Sequence, residues 1–343
     1  MSTPGTTPLP PDWTRTTPAA PDVPELHALL RRHETAARGS SGASLQAVEA
    51  DVVGAGAATR QHLLLRDPAG GVRAWGTVHD RAAGRSVVAV VVDPELPTEE
   101  ADTAASALLT WIEQVSAENG AERSRPTTQL DSGAFADDAR QSRWLAVAGY
   151  QRVRTWWQMG RPVGEHEADP GVLPPPKPGV VVRRVARDRS DGLPVQRDLA
   201  AVHSVLEAAF TDHFNYHEET FEEFCSRLRE DPGHRWDHWW IAEVEQDGRR
   251  RPAGALVASV TAHDPPGSYV EYLGVLRSAR GRGVAKSLLH SVFADAAARD
   301  RPTVGIEVDA DSPTGAADLY LAMGFTTSYE TASWHKELPV PGS

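Results

Sequence analysis

The sequence predicts an α/β protein of the mixed-sheet (α+β) kind, built from two tandem copies of one domain type, the first copy degenerate. Three observations carry that expectation. Helical and extended hydrophobic patterns follow one another in a similar order in both halves. A proline-rich stretch, RPVGEHEADPGVLPPPKP at 161–178, separates them and reads as a semi-rigid linker. The halves also close alike. WLAVAGY (144–150) before RVRTWWQM parallels YLAMGF (320–325) before TTSYETASWHKEL, each a helix stopped by glycine and followed by an aromatic residue leading into a strand.

In the first domain, 23–160, apolar residues at helical spacing mark 23–37 and 99–118, and a further helix ends at Ala148. Runs of alternating and β-branched residues give strands at 60–66, 72–80 and 86–92, with a weaker one near 127–130. The second domain, 179–338, begins with a strand at 180–186 and helices at 195–210 and near 219–229. Strands follow at 238–245, 254–262 and 268–275, then a glycine-rich turn into a long helix, 283–299. A strand at 303–308, a helix at 314–323 and a strand around 328–337 complete it.

Composition narrows the function. The 343 residues suit two domains, and 40% hydrophobic content is enough for two cores. With 35 Lys+Arg against 47 Asp+Glu, the net charge of −12 argues against a general nucleic-acid or anionic-membrane surface. The longest strongly apolar run, Val87 to Val92, falls far short of the roughly 20 residues that span a bilayer. A single cysteine, Cys225, excludes an internal disulfide framework and any Cys-rich zinc site, and the histidines lack metal-binding spacing, so no metal is expected. Residues 1–22 read as a disordered lead without the pattern of a secretory leader, and a cytoplasmic location is the expectation.

The stretch LGVLRSARGRGVAK (273–286) carries the chemistry. A strand ends at Val275 and a helix begins near Gly283, with Arg280, Gly281 and Arg282 between them. Glycines let backbone approach a ligand, and the unsatisfied N–H groups of a helix start, with the positive end of its dipole, favour a phosphate or diphosphate. Neither of the common nucleotide-binding glycine fingerprints is present there.

Arg280-x-x-Gly283-x-Ala285, preceded by Leu273, Gly274 and Val275, resembles the acyl-CoA pyrophosphate loop of the GCN5-related N-acetyltransferase (GNAT) superfamily. Ala317-x-Leu319-Tyr320-x-x-x-Gly324-Phe325 resembles that family's second hallmark, in the right order and with a strand between. The resemblance covers about 179–338, with a worn version over 23–160, and the tandem layout is similar to that of mycothiol synthase.

The resemblance implies that acetyl-CoA is the co-substrate and that an amine attacks its thioester directly, needing donors for the carbonyl, a base and an acid. It assigns Leu273, Gly274, Val275, Arg280, Gly281, Arg282, Gly283, Val284, Ala285 and Lys286 to acetyl-CoA. Tyr320 takes the place of the general acid. Glu271 is the candidate base because strand parity puts it on one face with Leu273 and Val275; Glu307 and Asp309 compete. Family members often carry Asn shortly after the following strand, and here Ser312 is the polar candidate. The acceptor side reads AFTDHFNYHEE (209–219) and then WDHWW (236–240), so Phe210, Asp212, His213 and Tyr216 are the substrate-binding candidates for a small-molecule amine.

An offset of 180 residues aligns Gly283 with Thr103, and puts PELPTEE (94–100) where the pyrophosphate loop would be. Proline lacks an N–H, and carboxylates repel a diphosphate. Counting from the terminal glycine, Leu145 replaces Tyr320. The first domain is therefore expected to be non-catalytic. Two other readings stay open: transfer of another acyl group, from a longer acyl-CoA or from aminoacyl-tRNA, and a CoA-binding module without turnover. The net charge weighs against tRNA, although the arginines near 280 could form a local basic patch. The sequence is compatible with a monomer or a homodimer.

Overall fold

The computed structural model describes residues 9–81, 85–190, 192–211, 213–214, 216–262, 264–312 and 315–340. Its earlier elements are β1 (Thr14–Thr16), α1 (Val23–Arg38), α2 (Leu45–Val52), β2 (Arg60–Arg66), β3 (Val72–Arg81), β4 (Arg85–Val92), α3 (Thr98–Glu122), β5 (Thr127–Phe135), α4 (Ala139–Val147) and β6 (Gln151–Pro162). There follow β7 (Val180–Arg184), α5 (Gln196–Phe210), α6 (Phe221–Glu230), β8 (His234–Gln246), β9 (Arg249–Val260), β10 (Ser268–Val275), α7 (Val284–Ala297), β11 (Thr303–Asp309), α8 (Ala316–Ala322) and β12 (Thr326–Pro339).

The chain forms two units. One comprises residues 1–156 and 329–343, the other 157–328. Both β6 and β12 therefore straddle a unit boundary, and each unit includes a strand that follows the other repeat in sequence. Sequence alone places the boundary in the proline-rich stretch, because strand partners are a long-range property that local pattern does not encode.

The first unit has strand order β1-β2-β3-β4-β5, with the 329–339 part of β12 beside β5. Pairing of β12 to β5 is antiparallel, from Thr331–Phe135 to Pro339–Thr127. Alternation along β2 and β4 feeds two cores. Leu63, Leu65, Val88, Val90 and Val92 pack with α3 and α4, whereas Leu64 and Val91 pack with α1 and α2. Within the 1–22 lead, Thr14–Thr16 pair with β2 and Trp13 packs on the first of these cores. Proline and threonine there suit an edge strand.

In the second unit, the 157–162 part of β6 precedes β11, β10, β9, β8 and β7 in strand order. One face of this sheet packs on α7 through Trp240, Leu256, Val270, Leu288 and Ile306, and the other packs on α5 and α6 through Leu206, Phe224, Trp239 and Val257. A reciprocal capping box starts α6: Glu223 N donates to Thr220 Oγ1 and Thr220 N to Glu223 Oε2. The proline-rich segment is built into this unit. Glu167 is buried and takes two bonds from Arg161, Leu173 packs on the α7 core, and the Pro174 carbonyl meets His290 Nδ1.

Candidate active site

In the second unit, β10 runs parallel to β11 over only three register pairs, from Ser268–Val304 to Val270–Ile306. Yet β10 continues to Val275 and β11 to Asp309. The strands thus diverge beyond Val270 and open the sheet at their carboxyl ends, where open α/β sheets commonly admit ligands.

Past Val275 the chain makes a single 3-10 turn, Arg277–Ala279, and enters α7. Gly281 and Gly283 have φ of +77° and +83°, values that favour glycine. Among the described residues, the N–H groups of Gly281, Gly283, Val284, Ala285 and Lys286 meet no backbone acceptor. The first helical bond of α7 is Ser287 N to the Gly283 carbonyl. Successive outward N–H groups at the positive end of a helix form an anion-binding concavity. Arg280 and Lys286 are exposed at its rim, while the Val284 side chain is buried, so Val284 offers only its backbone to a ligand.

Sequence reasoning missed a residue here. The methylene stem of Lys177, from the proline-rich segment, lies 3.1–3.3 Å from where a side chain on Gly283 would begin. Position 177 gives no local signal, because the segment reads as a spacer.

Antiparallel pairing of β10 with β9 slips between Val270–Ala258 and Tyr272–Val257, which leaves Glu271 as the extra residue of a β-bulge. Bulges re-aim side chains. This one overturns the expectation that Glu271, Leu273 and Val275 share a face. Leu273 and Val275 pack toward α7, whereas Glu271 Oε1 accepts a 2.6 Å bond from Ser259 Oγ on the face toward α5 and α6. Ser259 belongs to that face by alternation with Ala255 and Val257. Gly274 also faces α5: a side chain there would begin 2.9 Å from Leu206.

Burial pushes the Glu271 carboxyl up to about 7; the bond from Ser259 and the charge of Arg227 oppose this, and Asp231 and Glu307 add to it. Burial raises the Glu307 carboxyl as well, although Gln158 Nε2 donates to its Oε2. Tyr269 Oη donates in turn to Gln158 Oε1 at 3.4 Å. Gln158 comes from β6, a strand that sequence assigns to the other domain, and no motif points to it. Asp309 is buried, and its carboxylate accepts the Asp311 N–H at 2.9 Å, a turn-capping role. Ser312 follows in that turn, its N–H donating to the Asp309 carbonyl.

Tyr320, on α8, is 7% exposed and packs edge-on to Phe325 at 5.7 Å in the α7 core. Burial raises its phenol further above the ordinary tyrosine value. The core that holds Tyr320 also includes Leu273 and Val275.

On the expected acceptor side, Phe210 packs edge-on to Tyr272 at 6.2 Å and to His213 at 5.4 Å. Tyr216 Oη donates to Glu207 at 2.6 Å, a bond that pushes its phenol up to about 12. Asp212 lies outside the described residues. The WDHWW stretch does not form an acceptor wall as expected. Trp239 and Trp240 are buried in opposite cores, and fully buried His238 is held by Asp237 at 2.6 Å. A strand alternates its side chains, so a continuous aromatic run cannot all face one cleft. Buried Cys225 has its thiol pushed up by burial, as a structural cysteine does.

The first unit has a comparable opening. β4 and β5 pair in parallel from Arg85–Gln129 to Val88–Ser132 and then part. Here the gap is filled. Gln141 Nε2 donates to the Val90 carbonyl at 3.3 Å and Gln141 Oε1 accepts from Phe135 N at 3.2 Å. His33 Nδ1 meets the Val92 carbonyl at 3.4 Å. A cavity of about 10 Å³ remains beside Val90, Ser132, Gln141 and Leu145. The helix after β4 starts at Thr98, with Pro97 as its cap, so Gly283 corresponds to Pro97 and the constant offset to Thr103 does not hold. Glu99 and Glu100 occupy the first turn.

Residues 199–325 match the family model described as Acetyltransferase (GNAT) family. No curated protein matches the sequence. A GCN5-related N-acetyltransferase from Sphaerobacter thermophilus is 26% identical, with a TM-score of 0.74 and 98% of each chain covered. A tandem GNAT protein from the clavulanic acid biosynthesis pathway is similar in fold at 14% identity, with a TM-score of 0.68 over 96% of this chain and 100% of that one. A glucosamine N-acetyltransferase region of a fungal multi-domain β-N-acetylglucosaminidase is similar at 12% identity and a TM-score of 0.66, covering 96% of this chain and 38% of that one. The family match lies in the second unit, and over nearly its whole length the chain is similar in fold to a GCN5-related N-acetyltransferase and to a tandem GNAT protein.

Proposed function

We propose that the protein transfers an acetyl group from acetyl-CoA to the primary amine of a small molecule, by direct attack, in the second unit. The observation that carries this reading is the row of N–H groups at Gly281 and Gly283–Lys286 that meet no backbone acceptor among the described residues, next to the divergence of β10 and β11. Those groups and Arg280 would hold the diphosphate, and the free edge of β10 near Val275 would lie along the pantetheine.

Glu271 would take the proton from the attacking amine, directly or through a water. With its carboxyl pushed up to about 7, it matches a base working near neutrality. As the nitrogen–carbon bond forms and the carbon–sulfur bond breaks, the Tyr320 phenol would give its proton to the departing thiolate. Burial keeps that phenol protonated until then. The acyl group passes straight to nitrogen, so no enzyme nucleophile is required and buried Cys225 has no part. Phe210, His213 and Tyr216 would line the acceptor side. The first unit would bind no acyl-CoA, since Gln141 and His33 already occupy the carbonyls of its diverging strand.

The test is release of free thiol from acetyl-CoA with a panel of primary amines, alongside calorimetric titration of acetyl-CoA. Saturable binding with amine-dependent thiol release is the expected result. Absence of acetyl-CoA binding would sink the proposal. Thiol release only with longer acyl-CoA donors would move it to another acyl group.

A further inference from the structure

Cations from three segments lie near the α7 start. Several arginines of this unit are tied to carboxylates: Arg183 to Asp198 and Glu243, Arg227 to Glu219, and Arg299 to Asp237 and Asp295. No carboxylate pairs with Lys177, Arg251, Arg280 or Arg282 among the described residues. The nearest polar partner of Arg282 is the Glu245 carbonyl, 3.5 Å from its Nη2.

These groups come from three separate segments. Arg280 and Arg282 belong to the loop itself. Lys177 reaches it by laying its stem across Gly283. Arg251 is on β9, two residues before Ala253, whose carbonyl accepts from Leu276 N at the loop's start. It pairs in register with Val244, a member of the α7 core, so Arg251 shares the face of α7, while Arg250 pairs with Glu245 on the other face.

A diphosphate already has five backbone N–H groups and Arg280. In a chain of net charge −12, leaving three more cations unpaired around it is a surplus that one further dianion would use. We infer that Lys177, Arg251 and Arg282 form a subsite for a third phosphate group, the 3′-phosphate of CoA, so that the donor is selected by its nucleotide end as well as by its diphosphate. This rests on the acyl-CoA reading above and adds to it the residues that read the nucleotide.

Calorimetric titrations of the full chain with CoA and with 3′-dephospho-CoA separate the two ideas. The intact protein should bind CoA about 10–100-fold more tightly than the dephosphorylated form, the range expected of one charge-assisted cluster. Lys177→Ala and Arg251→Ala, both at exposed positions, should each weaken CoA binding while leaving 3′-dephospho-CoA nearly unchanged, so that the ratio shrinks toward one. Equal affinity of the intact protein for both ligands overturns this inference and leaves the acyl-CoA reading standing. Equal weakening of both ligands in the variants overturns it as well. If neither ligand binds, both fall together.

Discussion

Ser259 Oγ donates to Glu271 Oε1 across 2.6 Å, and the acceptor is the extra residue of the bulge in β10. Burial outweighs this bond, so the carboxyl titrates at about 7 in the folded protein against 4.5 as its ordinary value. In the proposed role of base, Glu271 must be ionised. The rate kcat/KM is expected to fall tenfold per pH unit below about 7, and Glu271→Gln to lower kcat by about 10²–10⁴ and abolish that acid limb. A pH profile unchanged by the substitution would assign the base elsewhere, with Glu307 next in line.

The same shift has a consequence for stability. The folded state holds the Glu271 proton more tightly than the unfolded chain, so between pH 4.5 and about 7 stability falls as pH rises. At pH 8 the cost is on the order of 3 kcal/mol. Glu271→Gln should therefore raise the melting temperature at pH 8 and leave it nearly unchanged at pH 4. Differential scanning calorimetry at the two pH values checks the sign.

Tyr320 makes no side-chain hydrogen bond among the described residues, and its ring is held by apolar packing against Phe325. Removing the hydroxyl alone should leave the fold intact. Tyr320→Phe is expected to lower turnover by about 10²-fold or more while acetyl-CoA affinity stays within about twofold. Unchanged turnover would remove Tyr320 from the acid role.

Filling of the first unit by Gln141 and His33 predicts one acetyl-CoA per chain. Calorimetry on the intact protein gives the stoichiometry directly. A value of two would mean that the first unit opens to ligand. The intact chain is the right object, because residues 23–160 lack the β12 strand that completes this unit.

Truncation after Ser328 removes the ladder from Thr331 to Pro339, buried Ala332 and Trp334, and the Lys336 bridge to Glu113 at 2.6 Å. Loss of a buried tryptophan alone costs about 3–5 kcal/mol. Hydrogen exchange in the truncated chain should show lost protection in α3 and β5 with protection retained in α7 and β10. Full protection of β5 would contradict the strand assignment.

Local chemistry made much of this protein legible. The repeat showed in two helix ends, where Gly149 and Gly324 take φ of +85° and +87°, and the α7 start showed in the spacing of Arg280, Gly281 and Gly283. Helix caps and strand periodicity depend on neighbours within a few residues, which a sequence displays. Three features were decided only by tertiary structure. Exchange of the closing strands puts Gln158 and Lys336 in units that their sequence positions do not indicate, because partner choice between similar strands is a long-range matter. Glu271 changed face through a single unpaired residue, and a bulge is set by two strands at once, so alternation along one of them could not reveal it. Lys177 came to the α7 start by packing of an apparent spacer, through contacts that no periodicity encodes.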